Sequence, residues 1–254
     1  MSEKKRIASI VWGLMILCFM TIMIPGIKVE AAGKKPFLNY KAAILPTKVD
    51  FPLKMINIGG KKVKWSSTNK KVAKISSKGK IHTLKKGKTV IIAKVGKKKY
   101  KCKVHVLSDK QYVTKWCKEF IKVQKISSFK NDFDKIIMAS YGIDELFYYG
   151  KANGPKEVIW KGQGTCYSGG QLLVELLKHM GYEARVRSAN NDSLDMFPDG
   201  VMPGFNRHNV EVIINGKKYY VESTPGSGVV YLCEAHKPLY FKMGNRVLVD
   251  YGAE

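Results

Sequence analysis

The 254-residue sequence predicts a multidomain protein, an all-β sandwich followed by an α+β domain, behind an export segment at 1–31. Three observations lead there. Short alternations of apolar residues and lysines, punctuated by Gly-containing turns, fill 35–107. Helical periodicity takes over in 108–254, and strand alternation returns near residue 207. Charge changes at the same boundary: 22 Lys face one acid, Asp50, between residues 32 and 103, whereas 19 Lys and Arg face 17 acids from residue 104 onward.

Lys4, Lys5 and Arg6 precede an apolar run at 7–24, Pro25-Gly26 breaks it, and Val29-Glu30-Ala31 ends in small residues. A basic flank, an apolar core and a small-residue exit describe a signal peptide. Cleavage after Ala31 is favoured; uncleaved, the 18-residue run is long enough to anchor the chain in a bilayer. Either way the protein is expected to be secreted or held at the extracellular face of the envelope, meeting membrane only through this segment. The 223 residues that remain suffice for two modest domains. Their cysteines, Cys102, Cys117, Cys166 and Cys233, are too sparse for a disulfide scaffold, and their state is left open. No C-x-x-C and no His/Cys cluster suggests a metal, and nothing calls for a cofactor.

In 35–107, Val63 and Trp65 alternate with Lys62 and Lys64, and Tyr100, Cys102, Val104 and Val106 alternate with Lys101, Lys103 and His105. Gly59-Gly60, Lys78-Gly79 and Lys86-Gly87 mark turns. Strands this short imply a two-layer sandwich with Trp65 as its core anchor and Cys102 as core filling. The strings V-K-W-S-S-T-N-K-K-V-A-K-I-S-S-K-G-K-I and K-K-G-K-T-V-I-I-A-K-V resemble a bacterial immunoglobulin-like domain of group 2. That resemblance implies a spacer or adhesive module of a surface protein, without catalysis. A net charge of +21 over 32–103 attracts anionic polymers. Wall polymer, acidic polysaccharide or an acidic membrane surface fit that field, and plain solvation of a lysine-covered sheet is the competing account. Export, and the lack of an aromatic-studded groove, argue against nucleic acid.

From residue 109 to about 149 the pattern is helical. Val113, Trp116, Cys117, Phe120 and Ile121 form one stripe, and Phe133, Ile136, Ile137 and Ser140 another, before Tyr141-Gly142 interrupts. Asp109 and Asp132 are expected at helix starts. Ala152-Asn153-Gly154-Pro155 reads as a turn.

The segment that reads as chemistry is G-Q-G-T-C-Y-S-G-G at 162–170. Thr165 caps a helix whose first turn holds Cys166, whose buried face is Leu172, Leu173, Leu176, Leu177 and Met180, and which Gly181 ends. Partial positive charge at a helix start favours a thiolate. Gly162, Gly164, Gly169 and Gly170 are expected to admit a substrate chain. The Cys166 amide and, as a weaker choice, the Gln163 side chain are the oxyanion candidates.

Of the five histidines, His82 and His105 fall in the basic sandwich, His179 reads as a helix-end residue and His236 is a late loop candidate. His208 begins the strand alternation Val210, Val212, Ile214, and Asn215-Gly216 turns it toward Val221-Glu222-Ser223. A two-residue turn pairs Ile214 with Lys217 and sets His208 opposite Ser223. A three-residue connection pairs Ile213 with Lys217 and sets His208 opposite Glu222. A Cys-His-acid site requires the wider connection, which is the expected one, although Asn-Gly often takes the tighter turn.

These strings, with R-H-N-V-E-V-I-I-N-G-K-K-Y-Y-V-E-S-T-P-G, resemble the transglutaminase-like superfamily over about 110–226. The resemblance implies a papain-related domain with Cys166 as nucleophile, His208 as base and Glu222 as orienting acid. Two positions depart from the family: Glu222 stands where Asp is usual, and Val210 where an aromatic follows the histidine. The family also includes members without catalysis.

The implied reaction is attack by the Cys166 thiolate on a peptide or side-chain amide, giving a thioester and an amine, then hydrolysis or transamidation. Wall peptides and surface proteins are the expected acyl donors. A loop at 190–205, with Asp192, Asp195 and Asp199, is expected beside the site; its acids lack the spacing of a calcium loop. The competing class is a wall-binding or adhesion protein that uses the same scaffold without catalysis. No matched acid pair supports polysaccharide hydrolysis. Alternating apolar residues at 229–250 are expected to complete the sheet.

Overall fold

The structure, a computed structural model, describes residues 35–188, 208–234, 237–243 and 246–247. The export segment at 1–31, the loop at 190–205 and His236 lie outside the described residues. The chain forms two compact units that divide in sequence between Tyr112 and Val113.

The first unit is a sandwich. Strands β2 (Ala42–Pro46), β9 (Lys98–Leu107), β8 (Gly87–Val95) and β5 (Val63–Ser67) form one sheet in that order. Strands β3 (Asp50–Pro52), β7 (Lys80–Thr83) and β6 (Ala73–Ile75) form the other, and β1 (Phe37–Leu38) pairs with β4 (Met55–Ile56) at its margin. β2 and β9 run parallel; the other pairs are antiparallel. Period-two alternation puts Ile91, Ala93, Cys102 and Val104 inside and the intervening lysines outside. Burial pushes the Cys102 thiol up to about 11, as expected for a core-filling cysteine. Trp65 is not the anchor the sequence predicts. It is half-buried, its indole against Gly79, while Leu45, Leu53, Ile81 and Ile91 have no exposed surface. β5 is an edge strand, so a side chain on it has a neighbouring strand on one side alone.

The second unit is α+β. Helix α1 (Asp109–Val123), whose first four residues precede the division, and helices α2 (Asp132–Leu146), α3 (Pro155–Lys161) and α4 (Cys166–His179) precede an antiparallel sheet. Its strands follow sequence order: β12 (Ala184–Ser188), β13 (His208–Ile214), β14 (Lys217–Val221), β15 (Val229–Glu234), β16 (Lys237–Met243) and β17 (Arg246–Val247). The tail thus completes the sheet. A short parallel pair, β10 (Tyr148–Tyr149) and β11 (Gln163–Gly164), leads into α4. α4 packs on β12 and β13, α2 packs on β14 and β15, and the two helices touch. Leu172, Leu173, Leu176 and Leu177 of α4 are fully buried, as are Val210, Val212, Val221 and Leu232 of the sheet. Each such side chain contributes roughly 2 kcal/mol by leaving water, which fixes the helix on the strands.

One helical expectation needs correction. α2 runs through Tyr141-Gly142 instead of stopping there, because α1 packs so closely that a Cβ at Gly142 would collide with the Phe120 ring. Asp109 and Asp132 stand at the helix starts as expected, and Asn131 caps α2, its side chain accepting from Asp134 N over 2.7 Å. The turn at 152–155 opens α3 with Pro155 in its first turn, where a missing N–H costs nothing. Burial holds the Cys117 thiol of α1 up at about 12. Among the described residues no helix is long and apolar enough to cross a membrane, and no disulfide joins the cysteines.

Candidate active site

Cys166 occupies the first position of α4 behind a reciprocal cap. Thr165 Oγ1 accepts from Ser168 N, and Ser168 Oγ accepts from Thr165 N at 2.9 Å. The Cys166 amide lies in the first turn of α4, the end of the helix where partial positive charge accumulates. Cys166 is partly exposed, unlike Cys102 and Cys117, which are fully buried.

His208 heads β13, paired with Ser188 of β12. Because α4 lies over these strands, the His208 ring reaches the helix start: Cys166 Sγ is 3.9 Å from His208 Nδ1. That is the outer limit of a sulfur hydrogen bond, a looseness common before substrate binds. Tyr167 packs its ring edge-on against the imidazole, centroids 5.0 Å apart at 67°. Tyr167 is itself 49% exposed, so the pair sits at the surface.

The hairpin register differs from the expected one. Ile214 pairs with Lys217 and Val210 with Val221, a two-residue turn with Asn215 at φ 51° and Gly216 at φ 77°. Two left-handed residues make a turn whose twist matches that of the strands, so Asn-Gly takes the tight form. Carried beyond its last pair, the register sets Asn209 opposite Glu222 at one step and His208 opposite Ser223 at two. Glu222 therefore does not face His208 as a cross-strand partner. It is 1% exposed, and its Oε1 accepts from Ser223 N at 2.8 Å and Thr224 N at 2.9 Å. Asn209, also fully buried, accepts from Arg187 Nη1 at 3.1 Å and donates to Tyr231 Oη at 2.9 Å.

Residues 222–228 are clamped between the two central helices. Ser140 Oγ of α2 donates to the Glu222 carbonyl at 2.6 Å, and Ser223 Oγ donates to the Cys166 carbonyl at 3.2 Å. Asp144 of α2 accepts from Ser227 Oγ and Gly228 N, each at 2.9 Å. Burial raises the Asp144 carboxyl above its ordinary range, and those donors partly offset the rise. Thr224 Oγ1 is buried without a hydrogen-bond partner among the described residues.

Gln163 lies on β11, three residues before Cys166, and its Nε2 donates to the Lys151 carbonyl at 3.2 Å. One of its two N–H donors is thereby used. Two glycines of the motif, Gly169 and Gly170, are closely packed by the protein's own chain. A Cβ at Gly169 would collide with the Ser223 carbonyl and lie 2.6 Å from Pro225 Cδ, and one at Gly170 would lie 3.1 Å from Ser223 Oγ. His179 bonds the Glu175 carbonyl at the end of α4, as a helix-end residue should. Sequence reasoning gave no site role to Tyr167, Ser140 or Ser223, whose contacts join residues far apart along the chain. It also missed the exposed Tyr148 and Tyr149, which β10 sets beside Gln163 and Gly164; two adjacent tyrosines were the available signal.

The sandwich geometry and the lysine alternation have a counterpart among known families. Residues 53–105 are a bacterial Ig-like domain of group 2. This group 2 domain covers the strands from Leu53 into β9 and accounts for about a fifth of the chain. No curated protein matches. Similar solved structures include a bacterial Ig-like domain-containing GH10 xylanase from termite gut, at 19% identity and TM-score 0.24, matching 26% of this chain and 18% of that one. Domains 1–6 of the surface layer protein SbsC match at 19% identity and TM-score 0.26, over 30% of this chain and 13% of that one. An intimin mutant of EHEC O157:H7 matches at 12% identity and TM-score 0.29, over 85% and 95%. The chain thus spans less than two thirds of the xylanase and SbsC structures, and the low scores add nothing to the family match.

Proposed function

We propose that the second unit is a transglutaminase-like cysteine enzyme of the cell surface, acting on peptide or side-chain amides through a thioester. The observation that carries this reading is the 3.9 Å approach of Cys166 Sγ to His208 Nδ1 at a capped helix start. His208 takes the thiol proton, and the sulfur bonds to the substrate carbonyl carbon. The C–N bond then breaks as the imidazolium returns its proton to the departing amine. Water or a second amine releases the acyl group and restores the thiol. The Cys166 amide supports the oxyanion, with Gln163 as a second donor. Wall peptides and surface proteins are the acyl donors, and the group 2 Ig-like domain supports an extracellular placement. Its lysines hold the chain to an acidic surface.

One observation favours a second reading, a catalytically silent wall-binding or adhesion domain: the Glu222 carboxylate engages its own following amides. The two readings separate on iodoacetamide labelling of Cys166 near neutral pH, together with acyl-enzyme trapping by candidate peptides. The enzyme reading expects fast labelling that falls at least tenfold in His208→Ala, and a mass adduct on Cys166. Slow labelling unaffected by His208→Ala, with no adduct, overturns it.

A further inference from the structure

The cross-strand register gathers lysines on one outer face of the sandwich. Lys64 pairs with Lys94, and Lys94 with Lys99, so three like charges stand in one row across β5, β8 and β9. Lys101 and Lys103 continue the same face along β9, and Lys88 lies opposite His105. All six lysines are exposed, and none forms an ion pair among the described residues. Like charges directly opposite each other on a sheet oppose folding. The acid of this unit's strands, Asp50, is on the other sheet, where it holds Lys80 at 3.3 Å and His82 at 2.7 Å. The four-stranded sheet therefore carries an uncompensated cationic face that its own fold does not neutralise.

We infer that this face is a docking surface for a linear polyol-phosphate polymer of the wall. The inference rests on the reading that the basic unit holds the chain to an acidic surface, and it is independent of the thioester chemistry. Charge complementarity requires a polyanion, and spacing selects its kind. Lysines recur about 4.8 Å apart across the strands and about 6.7 Å apart along β9. A flexible polymer with one phosphate per short polyol repeat can set successive charges on successive lysines. A stiff uronic-acid chain, whose carboxylates alternate in side, matches fewer. Lys supplies a compact point charge suited to single phosphates without demanding a planar fork.

The test is binding of the full chain to poly(glycerol phosphate) of defined length across a salt series. The native chain is expected to bind with affinity that falls steeply with salt, as counterion release requires. Lys64→Gln/Lys94→Gln/Lys99→Gln should weaken binding at least about tenfold and flatten the logarithmic salt slope by about 2, without lowering the Tm. A charge-matched Lys70→Gln/Lys74→Gln/Lys85→Gln variant, altered outside that sheet, should stay within about threefold of native. Equal losses in the two variants overturn this face while leaving the anchoring reading intact. No binding by the native chain overturns both. Tighter binding to a uronic-acid polymer, a phosphatidylglycerol vesicle or an oligonucleotide of equal charge overturns the polyol-phosphate assignment.

Discussion

The Ser223 hydroxyl donates to the Cys166 carbonyl over 3.2 Å, tying the first turn of α4 to the chain opposite His208. The tight hairpin produces this link: it brings Ser223, not Glu222, to the face that α4 covers. Ser223→Ala removes one partly buried hydrogen bond, expected to cost about 1 kcal/mol. Urea denaturation should show the midpoint falling with unchanged slope, and Cys166 alkylation should slow.

Gly169→Ala tests the same junction by crowding. The new methyl meets the Ser223 carbonyl and Pro225, and both belong to a segment clamped on two sides. A loss of about 1–3 kcal/mol is expected from overpacking. A variant as stable as native would mean that the clamp yields easily.

Glu222 separates structure from catalysis. Glu222→Gln removes the charge from a carboxylate that accepts two backbone amides, and about 1–3 kcal/mol of stability should go with it. If the carboxylate also steadies the imidazolium, alkylation of Cys166 slows beyond the loss of folded protein. Comparing the rate per folded molecule with that of Ser223→Ala distinguishes the two roles.

Acid stability has an identifiable contributor at Tyr182. Its hydroxyl donates to Asp132 at 2.7 Å, and this bond, then the Lys135 ammonium, pull the Asp132 carboxyl below its ordinary 3.8. A lowered carboxyl stabilises the fold above its unfolded value and loses that contribution as pH falls through the folded one. Tyr182→Phe should therefore lower the Tm near neutrality. The gap between the two proteins should close as the pH drops below 3.8. A gap of constant size would assign the effect to packing.

The thiols should react in a fixed order. Cys102 and Cys117 have no exposed surface, and burial holds them up at about 11 and about 12. Mass spectrometry after limited alkylation of the folded chain should find Cys166 modified first, with the buried pair labelled only after denaturant is added.

Much of this was readable in the sequence, and the failures have physical causes. Alternation of lysines with apolar residues located the strands of the sandwich, since half-buried sheets obey a period of two. The capped start of α4 and its leucine face followed from Thr165 and the spacing of Leu172, Leu173, Leu176 and Leu177. The continuation of α2 through Gly142 did not, because the reason lies in the Phe120 ring of another helix. The register at Asn215-Gly216 was decided by local backbone twist, against a catalytic expectation that had favoured the wider loop. Ser140 and Ser223 are separated by 83 positions yet hold neighbouring points of one segment, and no local pattern announces such a meeting.

The placement of Asp50 on one sheet and the lysine rows on the other has a mechanical consequence. The small sandwich is an electric vane: near a negatively charged boundary it experiences a torque before any contact forms. It should therefore arrive with one side already leading, and single-molecule orientation on such a boundary should be far from random.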